Sequence, residues 1–122
     1  AYRRQRQMCI RDRYRLRVTR EASEDVTGLA GYIARKFANI DAALNFLDKY
    51  DKEVQRLTNF PFGYRGVSFE YRGYEIRIKS FGTYNVFFTV DIAEKQVFVL
   101  RVLKDRQDWK TILGSQDKYH FE

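Results

Sequence analysis

From Tyr74 to Leu103 the chain alternates side-chain character in three consecutive short runs, and one similar run and two stretches of helical period stand before them. Side chains alternate across a strand and recur every three or four residues along a helix, so this order restricts the chain to a small sheet with a helical hairpin on one side. In the first of the three runs Tyr74, Ile76 and Ile78 share one face and Glu75, Arg77 and Lys79 the other. In the second, Tyr84, Val86, Phe88 and Val90 oppose Asn85, Phe87 and Thr89. Gln96 to Leu103 is apolar on both faces, as in a central strand, with Arg101 the charged interruption. An earlier strand, Tyr14 to Val18, carries Arg15 and Arg17 on its polar side. Turns at Phe81-Gly82-Thr83 and at Asp91 to Lys95 join the last three strands as an antiparallel meander.

The fold read from this pattern is α+β: an N-terminal strand, an antiparallel two-helix hairpin, a three-stranded antiparallel meander completing a twisted sheet, and a short C-terminal helix. Thr19 is placed to cap the first helix, whose stripe is Val26, Leu29, Ala30, Ile33 and Phe37. Asn39 starts the second, with Ala43, Phe46, Leu47, Tyr50, Val54 and Leu57 on its inner face. Asp105 is expected to cap the short last helix through Trp109 and Leu113, and the tail from Gly114 shows no periodicity. The hairpin is expected to screen one surface of a four-stranded antiparallel layer. The other surface, carrying Arg15, Arg77 and Lys79, is expected to be open and to receive a target.

At 122 residues the chain is one domain, large enough for a core without disulfides or metal. Its net charge of +7 is local. Residues 1–20 hold eight Arg against Asp12, whereas residues 21–122 hold fifteen basic and fifteen acidic residues. Such an arm can bind phosphate backbones without specificity, but a solvated or extraneous extension is the plainer reading. The string from Met8 to Arg13 resembles translated adapter sequence, so residues 1–13 are set apart from a domain at 14–113 and a tail at 114–122. No stretch reaches the length of a membrane span, and the arm lacks the apolar core of a secretory signal. With a lone cysteine, Cys9, these features lead to a cytoplasmic expectation.

Cys9 and His120, both near chain ends, cannot build a transition-metal site or an ordinary nucleophile pair between them. No glycine-rich phosphate loop follows a strand. Metal-free RNA cleavage is the chemistry left open. Arg77, Lys79, Lys104 and Arg106 could stabilise a phosphorane while Glu75 or a tyrosine moves protons. The competing reading is the solvated face of a sheet. Arg101 either pairs with an acid such as Glu75 or points into a functional concavity.

In this order, the Thr19, Ala22 and Asp25 helix opening, the Asn39, Ala42, Ala43, Phe46 and Leu47 second helix, the Phe60-Pro61 loop, the Gly73-Tyr74 strand start and the Val99 to Leu103 strand followed by Arg106 and Asp108 resemble the RelE/ParE family of type II toxin–antitoxin toxins. The resemblance implies a plasmid-stabilisation or stress-response toxin without a cofactor, held by a cognate antitoxin, with DNA reached only through the antitoxin and no membrane partner. One branch of that family comprises ribosome-dependent mRNA endonucleases (mRNA interferases); the other poisons DNA gyrase. Glu75 and Arg77 stand where two basic residues would be expected in the nuclease branch, and Asn85 stands where an Arg would be. No Tyr follows Arg106 until Tyr119. The ParE-like branch, and so DNA gyrase, is therefore the expected assignment, with the translating ribosome as the alternative target and a decayed toxin that only binds antitoxin as a further one. Enzymatic activity, if present, would be metal-independent RNA cleavage by Arg77, Lys79, Lys104 and Arg106. The expected antitoxin contacts are Leu29, Ile33, Phe46, Tyr50 and Phe87, with Phe87 and Tyr71 taken as solvent-facing. The expected target contacts are Arg77, Arg101, Lys104, Arg106 and Trp109.

Overall fold

In the computed structural model, which describes residues 13–59, 61–105, 107–114 and 119–120, strand β1 (Arg15–Val18) runs directly into helix α1 (Arg20–Phe37). Thr19 makes that change of geometry. Its backbone is extended and its hydroxyl accepts the Ala22 N–H at 3.0 Å, satisfying a first-turn donor that has no partner within the helix. The helix stops where Ala38 turns left-handed, at φ 47, and its N–H bonds back to the Ala34 and Arg35 carbonyls. Asn39 then caps helix α2 (Ile40–Asn59) by accepting the Ala42 N–H at 3.3 Å. So short a link makes the two helices an antiparallel hairpin. Val26, Ala30 and Ile33 of α1 and Ala43, Phe46, Tyr50, Val54 and Leu57 of α2 are buried as their spacing predicts. Phe37 is not: it is 61% exposed, because the stripe runs past the sheet at the hairpin tip.

The sheet has five strands in the order β1-β5-β4-β3-β2, with β2 (Gly66–Tyr71), β3 (Tyr74–Phe81), β4 (Tyr84–Asp91) and β5 (Gln96–Lys104) pairing antiparallel in sequence. Two expectations change here. The strand β2 was not anticipated, and β1 lies parallel to β5, with Leu16 beside Val97 and Val18 beside Val99. Hairpin β2–β3 turns through Arg72 at φ 52 and Gly73 at φ 86, two consecutive positive angles as in the turns that match strand twist. β5 is an interior strand, between β1 and β4, as suits its apolar character.

Both faces of the sheet are covered, which corrects the expectation of one open surface. On the hairpin side Phe81, Val86, Phe88, Val97, Val99 and Val102 pack against α1 and α2. On the other side Ile76, Phe87, Leu100 and Leu103 pack with Tyr71, with Leu113 of helix α3 (Trp109–Gly114) and with Tyr119. Arg77 lies beside Phe88 and Lys79 beside Val86, so both cations are on the hairpin side. Arg17 lies beside Phe98 on the opposite face, and Arg15 alternates with Leu16 in the same sense. The three basic residues therefore do not share a platform.

Beyond β1, the rim of β5 is completed by α1. Thr19 donates its backbone N–H to Val99 O at 3.0 Å and its hydroxyl to Leu100 O at 2.7 Å, and the Val102 N–H donates to Asp25 Oδ2 at 3.1 Å. After the Thr19 backbone bond, the side chains of Thr19 and Asp25 take the place of a strand ladder. Leu100 is the extra residue of a bulge between the Phe87–Arg101 and Phe88–Val99 pairs. Asp108 caps α3 by accepting the Thr111 N–H at 3.3 Å, whereas Asp105, the expected cap, accepts from Asn85 Nδ2 at 2.8 Å.

Candidate functional site: dispersed cations and an apolar hairpin tip

The described basic residues singled out from the sequence, Arg77, Lys79, Arg101 and Lys104, each contact other groups of the fold. Arg77 reaches from β3 to the Tyr64 carbonyl, donating through Nη1 at 2.9 Å, and its Nη2 is 3.7 Å from Glu75. Lys79, two residues along, lies 3.0 Å from the Glu53 carboxylate of α2 and 5.1 Å from the centre of the Tyr64 ring. Only 15% of the Lys79 side chain and 19% of the Glu53 side chain are exposed, which screens this pair less than a surface one.

Arg101 pairs with neither Glu75 nor an open concavity. It grips Asp25 of α1 with two bonds, Nε to Oδ2 at 2.7 Å and Nη2 to Oδ1 at 2.8 Å. The hydrogen bonds to Asp25 hold the guanidinium pKa above its ordinary value, against the opposing effect of burial. Lys104, at the end of β5, places its ammonium 5.6 Å from the Tyr32 ring centre. Arg106 lies outside the described residues. Trp109 opens α3 and packs on Phe87, with ring centres 5.4 Å apart, and edge-on to Phe69 at 6.0 Å.

Such a distribution has a chemical consequence. Cleavage through a 2′-hydroxyl needs a base, an acid and cations converging on one phosphate. Arg77 and Lys79 share one face, Arg101 is turned to α1 at the far rim, and Lys104 lies at the end of β5 near Tyr32. Among the described residues no three His, Cys, Asp or Glu side chains are grouped to hold a metal ion. His120 is bonded to the first turn of α1. Its ring nitrogen Nδ1 is 2.5 Å from Glu21 Oε1, its N–H donates to Glu21 Oε2 at 3.1 Å, and its carbonyl accepts the Arg20 N–H at 2.7 Å. Desolvation, the largest single influence, raises the Glu21 pKa, but the bonds from the His120 side chain and backbone and from its own backbone N–H outweigh it and bring the value down to about 2.

The most prominent apolar surface is the hairpin tip. Tyr32, Phe37, Ile40 and Leu44 are 45%, 61%, 70% and 56% exposed. Phe37 also lines a groove of about 610 Å³ that opens between the hairpin and the β3–β4 turn, floored by Ile33, Phe46, Phe81 and Tyr84 and edged by Lys49, Lys52 and Asp48. The sequence-predicted docking residues divide around it. Ile33 and Phe46 line the groove from buried positions, and Leu29 is half-buried along α1. Tyr50 is in the core, where burial first and then the charges of Asp51 and Asp25 push its phenol up to about 12. Phe87 and Tyr71 are buried on the opposite face, contrary to the solvent-facing position expected of them, because α3 and Tyr119 cover that side. Sequence spacing missed Ile40 and Leu44, which fall off the core stripe of α2, and it is that offset which signals an exposed apolar pair.

The family described as the ParE toxin of type II toxin-antitoxin system, parDE, has a model that matches residues 16–109. That span runs from β1 through the first residue of α3. No curated protein matches the chain.

Proposed function

The chain belongs to the ParE toxin family of type II toxin–antitoxin systems, and from that premise we propose that it arrests growth by docking on a protein, DNA gyrase, instead of cutting mRNA. The observation that carries this reading is the commitment of the sheet cations to internal partners: Arg77 to Tyr64 O, Lys79 to Glu53 and Arg101 to Asp25. Cations held this way support folding and are not gathered around a phosphate.

The family implies an antitoxin partner. Its docking place, in this reading, is the hairpin tip, where exposed Phe37 edges a concave groove and Tyr32, Ile40 and Leu44 add exposed apolar surface on the same helix pair. A disordered antitoxin segment would fold as it fills the groove, its ordering entropy offset by the area buried. The toxin works in the cytoplasm, where gyrase is found, and meets DNA through its antitoxin.

Purified protein, added in excess to gyrase and relaxed plasmid, is expected to block supercoiling; full supercoiling would overturn the reading. In parallel, primer extension on mRNA under translation is expected to show no new cuts within codons.

A further inference from the structure

The strand β2 ends the sheet: among the described residues no strand pairs with its outer edge. Six residues long, it has room for a further strand, whereas β1 at the other rim spans four. Its side chains Val67 and Phe69 face the second apolar cluster together with Trp109. Between β2 and α3 they enclose a groove of about 360 Å³ whose walls also carry Arg65 and Lys110.

The lining holds two cations and no acid. Both Arg65 and Lys110 are exposed. The acids nearest in sequence are turned elsewhere. Asp108 accepts both the N–H and the hydroxyl of Thr111, and Glu70 alternates to the other face of β2, beside Glu75. Among the described residues the surface thus combines a sheet edge that no strand covers, an aromatic slot on the same face, and two cations with no acid in the lining. An extended peptide satisfies all three: its backbone joins the sheet, alternate side chains fall on the groove side, and its acids meet the cations.

We propose that the outer edge of β2 and the Trp109 groove bind an extended acidic segment of the protein that this toxin attacks, the segment adding as a sixth strand with its carboxylates on Arg65 and Lys110. The inference rests on the toxin reading only for the identity of the partner. It separates the target surface from the antitoxin groove, since the hairpin tip and the β2 edge are built from different residues.

Trp109 is the one tryptophan of the chain, so its fluorescence reports on the groove directly. Titrating the full chain at low salt with a short peptide of alternating glutamate and valine is expected to give a saturable emission change. Arg65→Glu with Lys110→Glu is expected to weaken that binding about tenfold, and a lysine–valine peptide is expected to give no response. An absent or non-saturable change, equal affinity for the charge-reversed protein, or tighter binding of oligothymidylate than of the acidic peptide would overturn the proposal. Expression in cells separates the two readings. Arrest by the wild type, relieved in Arg65→Glu/Lys110→Glu with antitoxin still co-purifying, supports the proposal; equal arrest by both sinks it and leaves the toxin reading standing. Without arrest by the wild type the toxin reading falls, and the peptide titration decides the groove.

Discussion

Asp25 serves three donors at once: Arg101 Nε, Arg101 Nη2 and the Val102 N–H. The sequence marked Arg101 as an anomaly in an apolar strand but offered Glu75 as its partner, because strand alternation relates only neighbours in the sheet. The actual partner is 76 residues away, on a helix that strand pairing does not describe. Asp25→Ala takes two hydrogen-bond acceptors and the countercharge from a largely buried guanidinium and an acceptor from a rim amide, and is expected to cost about 3 kcal/mol in urea denaturation. Asp25→Leu combined with Arg101→Met should recover part of that loss, since removing both charges removes the uncompensated one. The Glu21–His120 contact sets a pH dependence. Glu21 has a folded pKa of about 2 against an ordinary 4.5, so below the ordinary value the unfolded chain takes up a proton that the native chain resists. Its contribution is complete above about pH 4.5 and declines as pH falls toward 2. The difference in urea midpoint between wild type and Glu21→Gln should therefore shrink between pH 5 and pH 2; a constant difference would contradict it.

Among the elements, those governed by local chemistry were legible and those governed by long-range cover were not. Thr19, Asn39 and the two helical stripes identify the hairpin because a cap and a periodicity are properties of adjacent residues. Thr19 carries more than a cap, though, since its hydroxyl also donates to Leu100 O and is fully buried. Thr19→Ala is expected to cost about 2 kcal/mol by chemical denaturation, and Thr19→Ser to restore most of it. Val67, Phe69 and Tyr71 alternate with polar residues as a strand does, yet β2 was overlooked because the Arg72-Gly73 turn that closes its hairpin lies outside the commonest turn pairs. The larger error concerned faces. Alternation says that Ile76 and Ile78 oppose Arg77 and Lys79, but not which set meets the hairpin. Register with β4 decides it: Lys79 sits beside Val86 and reaches Glu53, while Ile76 is covered by a cluster that includes α3 and Tyr119.

At the scale of the whole molecule, membership of the family stands on the match across residues 16–109, which takes in the hairpin and the sheet together. Four of the exposed apolar side chains, Tyr32, Phe37, Ile40 and Leu44, belong to the hairpin. Phe37→Ser, Ile40→Ser and Leu44→Ser together should leave the urea midpoint nearly unchanged, as suits exposed positions, while weakening capture of the antitoxin at least tenfold. Unchanged capture in calorimetry would move the antitoxin elsewhere. The hairpin is fastened unevenly. Thr19 and Asp25 join α1 to β5; Glu53 meets Lys79, and Thr58 O accepts the Tyr14 N–H at 2.7 Å, so α2 is joined near its C-terminal end. All of these ties lie at the root, far from the Ala38–Asn39 bend. Toward the bend the pair meets the sheet through rings instead, with Phe46 lying 4.7 Å from Tyr84 and 6.0 Å from Phe81 between ring centres. A visitor to the tip would thus press on the ends of β3 and β4 through Phe46, so that the loaded end of the hairpin is felt in the sheet beneath.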